Sequence, residues 1–163
     1  MSGGTVPYSP EGAAGAGIMA GAAAALALYV AFWAFPGTIR LNGLRFLGLM
    51  APGRPPTLAI YVIGIAVYVS LCIAFALGYA GLTHAFDVET DIFAWGVLFG
   101  LGHWVIDGVA LGIVARRHGA VRSGLLLDPG AFALNLPFAT ALAFLAVHLL
   151  FGMFTGAFYD ALR

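Results

Sequence analysis

Four long apolar runs, separated by short polar gaps that sort by charge, leave this chain little choice of fold. Six of its seven arginines, Arg40, Arg45, Arg54, Arg116, Arg117 and Arg122, fall in two of those gaps, whereas a third gap carries only acids, Asp87, Glu89 and Asp91. Inside a bilayer no water satisfies a backbone N–H or C=O, so apolar runs of this kind cross as helices. Short Arg-rich loops stay on the cytoplasmic side during insertion. The alternation predicts a multi-pass protein of the cytoplasmic (inner) membrane, with the Arg-rich loops cytoplasmic and both termini extracytoplasmic.

Composition fits this reading, since 62% of the 163 residues are hydrophobic and only 9% are charged. Soluble domains carry about 25% charged residues. A crossing needs roughly 20 apolar residues, so four crossings nearly exhaust the chain and the expectation is one transmembrane domain over residues 1–163. The predicted fold class is all-α: four transmembrane helices in an antiparallel bundle. Net charge is zero, which offers nothing to a nucleic-acid partner, and the use of Arg without Lys points to a prokaryotic source. The single cysteine, Cys72, lies within an apolar run, so no intramolecular disulfide and no thiol metal cluster can form. No basic residue precedes the first apolar run, which predicts that the first helix is retained and not cleaved as a signal peptide.

The spans are expected at residues 12–35, 57–83, 92–115 and 130–158. A Gly- and Pro-containing lead-in over residues 1–10 precedes them, and Pro36 with Gly37 stops the first. Tyr29, Phe32, Trp33 and Phe35 gather at the end of that span, where amphipathic rings suit the headgroup boundary. Residues 38–50 are apolar yet hold Arg40, Asn42 and Arg45, a pattern that predicts a short interfacial helix. Pro52, Gly53, Pro55 and Pro56 mark a turn. Asp128 and Pro129 read as a cap with proline at the first helical position, opening the fourth span. Within that span Pro137 would free a backbone carbonyl that the Asn135 amide could satisfy.

Small residues recur four apart: Gly17 with Gly21, Ala74 with Gly78, Gly96 with Gly100, Gly108 with Gly112, and Gly152 with Gly156. Lipid gives helices little hydrophobic reason to associate, so close backbone approach matters more, and small residues permit it. These positions are the expected helix contacts. A faint echo between residues 78–82 and 156–159 leaves an internal duplication open.

Ionisable groups within hydrocarbon are costly, which singles out His103, Asp107 and His148. His103 and Asp107 are one turn apart and share a helix face. Asp91 lies twelve residues before His103 and Asp160 twelve after His148, so both imidazoles sit about 18 Å from the plane of those aspartates and level with each other. A buried polar cluster of His103, Asp107 and His148 between the third and fourth spans is the favoured reading. Axial ligation of a haem or a chlorophyll-type pigment through one or both of His103 and His148 is the alternative. A metal site, a proton relay or a quinone or lipid headgroup contact stays open, although a tetrahedral zinc site lacks a nameable fourth ligand. His84 beside Asp87, Glu89 and Asp91 suits a solvated acidic loop better than a divalent-cation patch. Tyr61, Tyr68, Ser70 and Thr140 carry hydroxyls expected to bond back to their own helices.

The chain holds no G-x-S-x-G elbow, no G-x-x-x-x-G-K-[ST] loop and no H-E-x-x-H helix, so an enzyme is not expected. The Gly/Ala-rich first span followed by Leu44–Arg45–Phe46–Leu47–Gly48, then Phe99–Gly100–Leu101–Gly102–His103–Trp104, and then His148–Leu149–Leu150–Phe151–Gly152 with Gly156 and Tyr159, resemble a family of small uncharacterised four-helix membrane proteins of bacteria and archaea. That resemblance implies the fold but no activity, and it does not include Asp107. The functional expectation is a non-catalytic accessory subunit in the lipid bilayer, packing against other integral membrane subunits of an assembly such as an electron-transfer or photosynthetic complex. A haem- or pigment-binding redox protein is the second reading, and an oligomeric transporter or channel the third.

Overall fold

The computed structural model describes residues 8–53 and 55–163; the first seven residues of the expected lead-in over residues 1–10, and Arg54, lie outside them. Six α-helices follow in order: α1 Pro10–Ala34, α2 Gly43–Gly48, α3 Thr57–Ala85, α4 Ile92–Arg117, α5 Gly119–Arg122 and α6 Phe138–Leu162, with a 3-10 turn at Ala131–Ala133. Four of them, α1, α3, α4 and α6, are long and apolar enough to cross a membrane. Among the described residues the fold is all-α, built on these four long apolar helices.

The first span begins two residues earlier than expected, because the Ser9 hydroxyl accepts from Gly12 N at 3.1 Å and Pro10 takes the first helical position. A serine cap followed by proline is an efficient helix start, since the proline has no N–H to leave unpaired. At the other end Pro36 and Gly37, the latter at φ +78°, stop α1 as anticipated. Residues 38–50 shorten to the six-residue α2, capped by Asn42, whose side-chain oxygen accepts from Arg45 N at 3.0 Å.

α1 packs against both α3 and α6, and α6 packs against α4, whereas α3 meets α4 and α6 much less. At one end of the bundle Ser9 N donates to the Tyr159 hydroxyl at 3.3 Å, the Tyr8 and His84 rings lie 6.1 Å apart, and Arg163 bridges to Asp160 at 2.8 Å. At the other end Arg40 N donates to Thr140 Oγ1 at 3.0 Å and the His118 ring meets the Phe46 carbonyl. Successive spans therefore run antiparallel. Arg40, Arg45, Arg116, Arg117 and Arg122 sit at the second end, and Asp87, Glu89 and Asp91 at the first.

The interior is small and the exterior large. Buried positions of α1 are Gly12, Ala13, Ala16, Gly17, Ala20, Gly21 and Ala24, while Leu26, Tyr29, Val30 and Trp33 are exposed. On α4 the buried glycines 96, 100, 108 and 112 back onto exposed Leu98, Val105, Ile106, Val109 and Ile113. Water would reverse that arrangement, since large apolar side chains gain most from leaving it. Lipid accepts it, and close packing of small residues then holds the helices together.

Eight of the nine glycines expected at contacts have neighbours where a side chain would stand. Gly17 and Gly21 lie on Cys72 and Ala76 of α3; Gly96 and Gly100 lie on the Gly152 and His148 carbonyls of α6; Gly152 and Gly156 return the contact to Gly96 and Ile92. Gly108 and Gly112 are different, because they receive Phe132 and Ala131 of an irregular segment instead of a helix. The pair Ala74 and Gly78 faces outward, and no atom lies within 4 Å of the position a Gly78 side chain would take. α3 instead turns Cys72, Ala76 and Ala80 inward. Gly48 and Gly64, absent from the expected set, let α2 lie against the start of α3 at Ile60 and Leu44.

The largest correction concerns the fourth span, which starts at Phe138 and not at residue 130. Asp128 Oδ1 does accept from Gly130 N at 2.9 Å, but Gly130, Phe132 and Ala133 all have left-handed φ, so a turn forms where a helix was expected. Pro137 then occupies the N-cap of α6, outside the helix, where its missing N–H and ring cost nothing. Thus no carbonyl is freed for Asn135. Its backbone N–H instead bonds the Pro129 carbonyl at 3.1 Å, and its side chain lies over Gly130. Left-handed backbone at a bulky residue costs about 1 to 3 kcal/mol. Insertion of the Phe132 ring onto Gly108 and against Trp104, with centroids 4.8 Å apart, offsets it. Gly108 is nine residues from Arg117, so the segment reaches about 14 Å along α4.

Of the hydroxyls, only Ser70 bonds back as expected, to Ala66 O at 2.9 Å. Tyr68 donates to Gly21 O at 2.9 Å, the Tyr61 hydroxyl receives Asn42 Nδ2 at 3.3 Å, and Thr140 ties the 38–40 loop to α6 through Arg40 N and Thr38 O. Each links two elements that lipid alone would not hold in register.

Replacing Gly100 or Gly152 with Leu is expected to destabilise the bundle by about 1 to 3 kcal/mol, because each added side chain meets backbone of the facing helix. Gly78→Leu should leave stability unchanged. Thermal unfolding in detergent distinguishes the positions, and equal melting of all three variants and the parent would refute this packing.

Candidate functional site

The α4–α6 contact sets the site. Gly96 and Gly100 press against Gly152 and the His148 carbonyl, so the two backbones approach closely just one turn from His103. Within that grip the structure brings His103, Asp107 and His148 together. Both Nε2 atoms lie 3.2 Å from the same Asp107 Oδ2, and the imidazole centroids are 4.8 Å apart in an edge-on arrangement. The His103–Asp107 leg follows from their spacing of four on one helix. The leg to His148 depends on depth and on the direction each helix faces.

Aromatic rings wall the cluster. Phe75 of α3 stacks on His103 with centroids 3.5 Å apart, while Tyr79 at 6.1 Å and Phe151 at 5.4 Å approach its edge. Phe144 covers His148 at 4.4 Å. Both histidines are 8% exposed. Asp107 keeps 34% of its side-chain surface open, so the cluster is closed around the imidazoles and partly open at Asp107.

Hydrogen-bond geometry limits where the protons stand. His148 Nδ1 lies 2.6 Å from the Phe144 carbonyl, an acceptor only, so Nδ1–H donates there. Its Nε2 then faces Asp107 Oδ2, and an unprotonated nitrogen opposite a carboxylate oxygen would set two lone pairs face to face. A proton on that line, or a metal ion in its place, removes the conflict. His103 donates to the same oxygen from Nε2, and its Nδ1 is buried without a partner among the described residues. A carboxyl group paired with two imidazoles is tolerable in hydrocarbon; a lone carboxylate is not.

Such a cluster can hold a proton, hold a metal ion, or fix the register of α4 on α6. It has no room for a macrocycle held between the His103 and His148 imidazoles. A macrocycle between two axial imidazoles needs a slot as wide as its own plane, and here the two Nε2 atoms converge on one oxygen beside helices already in backbone contact. The acidic end loop behaves as a loop. Arg163 donates to the Glu89 carbonyl at 3.4 Å, and among the described residues His, Cys, Asp and Glu groups converge within metal-ligand reach at His103, Asp107 and His148 and not at His84.

Sequence reasoning passed over His118, which is 5% exposed. Its Nδ1 accepts from Ala120 N at 3.1 Å, which leaves Nε2–H to donate to the Phe46 carbonyl at 3.0 Å. It joins α2 to the α4–α5 corner as a neutral two-sided bridge. The position directly after two arginines masked it, because a third polar residue there reads as part of a cationic loop.

Asp107→Ala is expected to cost about 1 to 3 kcal/mol, since it leaves two buried imidazoles without their shared acceptor. Removing His103, Asp107 and His148 together should cost less than the sum of the three single losses, as groups in one network are not independent. Detergent melting of the four variants measures this, and strict additivity would mean three separate residues. In comparisons with family models, curated proteins and solved structures, nothing matches this chain, so the chemistry of the site is read from its geometry alone.

Proposed function

We propose that the protein is a non-catalytic accessory subunit of the cytoplasmic membrane that works by packing its lipid-facing helices against other integral membrane subunits. The observation that carries this reading is the outward disposition of large side chains. α3 is the least buried of the four spans, and Leu58, Val62 and Ile65 form one exposed stripe along it. At the Arg-rich end, Tyr29, Trp33 and Phe35 also stand clear of the bundle. The loops are short, so the surface offered to a partner is helical and apolar. Cohesion inside the chain uses glycine and alanine, which leaves the bulky residues for partners and lipid.

Orientation follows from charge. The Arg-rich end is cytoplasmic and the acidic end, with both termini, is extracytoplasmic. In intact cells of a Cys72→Ala background, a cysteine at Glu89 should react with an impermeant maleimide and one at Ser123 should not. The opposite pattern would invert the topology.

Extraction of tagged protein from native membranes in mild detergent is expected to recover another integral membrane subunit in stoichiometric amount. Truncating Leu58, Val62 and Ile65 together to Ala should reduce that recovery several-fold without changing the melting of the isolated chain. Recovery of the chain alone, or equal recovery with the truncated stripe, would count against a partner on α3.

A further inference from the structure

We propose that His103 Nε2, Asp107 Oδ2 and His148 Nε2 form a binding site for one divalent first-row transition-metal ion, clasped between α4 and α6.

Four observations converge. The three donor atoms lie within 4.8 Å of one another, and both Nε2 to Oδ2 separations are 3.2 Å. Tetrahedral ligands at about 2.0 to 2.1 Å from a metal lie about 3.3 Å apart, so two edges of such a site already have the right length and a small rotation of one ring closes the third. Next, the hydrogen bond from His148 Nδ1 to Phe144 O directs the Nε2 lone pair at Asp107. Histidine ligands are commonly oriented by donating their other ring N–H to a carbonyl or carboxylate. Third, two lone pairs cannot face each other along the His148 Nε2 to Asp107 Oδ2 line, and a metal ion satisfies three donors at once where a proton satisfies two. Finally, Asp107 is open over a third of its side-chain surface, which leaves a coordination position on the outer side of the cluster that no protein atom fills.

Ligand chemistry selects the ion. Two neutral imidazoles and one carboxylate suit zinc, ferrous iron or cobalt, whereas calcium and magnesium prefer all-oxygen sets. The fourth ligand that a zinc site seemed to lack is this open position, as in zinc sites with three protein ligands. Binding displaces the proton shared by His148 and Asp107 to solvent, and His103 transfers its ring proton from Nε2 to Nδ1. A dication at a site of net zero charge thus yields a bound state of net charge plus one and one free proton.

The test uses the full chain, purified in detergent without a polyhistidine tag and stripped with chelator, then titrated with cobalt(II) alone. Visible d–d bands that saturate at one ion per chain and vanish on adding zinc(II) are expected, with X-ray absorption at the zinc edge showing scattering from two imidazoles. Asp107→Asn and His148→Gln should each weaken binding at least about ten-fold, and His84→Ala should not. Saturation at no stoichiometric point, or equal binding by the His103→Gln/His148→Gln variant, would mean that the cluster holds a proton only. If a variant does not fold, the zinc-edge spectrum of the parent decides, because bound zinc without two imidazole ligands overturns the site.

Discussion

Backbone contact between α4 and α6 is the constraint on which the rest depends. Four glycines, 96 and 100 on one helix and 152 and 156 on the other, let carbonyl oxygens of each helix occupy the space where side chains of its partner would stand. Only at that separation does a ring on α6 reach a carboxylate on α4 with no intervening atom. The polar cluster is thus a product of the glycine seam one turn away. The dependence also runs the other way, since a half-satisfied aspartate in hydrocarbon would favour any sliding of the helices that exposed it. Dispersion holds the seam closed and the cluster fixes its register.

α3 stands in a different relation to the core. Against α1 it uses the same small-residue grammar, Gly17 and Gly21 on Cys72 and Ala76. Against α4 it uses rings: Phe75 on His103 and Tyr79 on Phe99, with the Tyr79 hydroxyl on Phe99 O at 3.0 Å. Side-chain stacking keeps two helices apart where glycine draws them together.

Much of this was legible in the residues, and the failures share a cause. Starts of α3 and α4 at residues 57 and 92 followed from Pro55, Pro56 and the acidic gap, because a charged or proline-rich break has no place in hydrocarbon. The pairing of His103 with Asp107 followed from helical spacing, and the approach of His148 from counting residues inward from Asp91 and Asp160. What failed was facing and local geometry. Ala74 and Gly78 are as small as Cys72 and Ala76, and nothing in α3 alone says which stripe meets α1. Gly108 and Gly112 looked like a helix seat, yet they hold a loop, since left-handed backbone at Phe132 and Ala133 has no signature in residue type. Nor could spacing reveal that the carbonyl of Phe144 orients His148, because that bond depends on a rotamer.

A seam built from glycine also has a bearing on how this chain can change over generations. Glycine is the smallest residue, so any replacement along residues 96, 100, 152 and 156 adds volume where no space exists, and no neighbour can shrink to compensate because the facing atoms are backbone. The seam can therefore drift in one direction only, toward separation. Outward positions such as Val105, Ile106 and Val109 have no such asymmetry and can exchange among aliphatic residues with little consequence for the fold. Descendants of this chain should therefore diverge from the outside in, with the lipid-facing surface changing long before the seam and the charges it shelters.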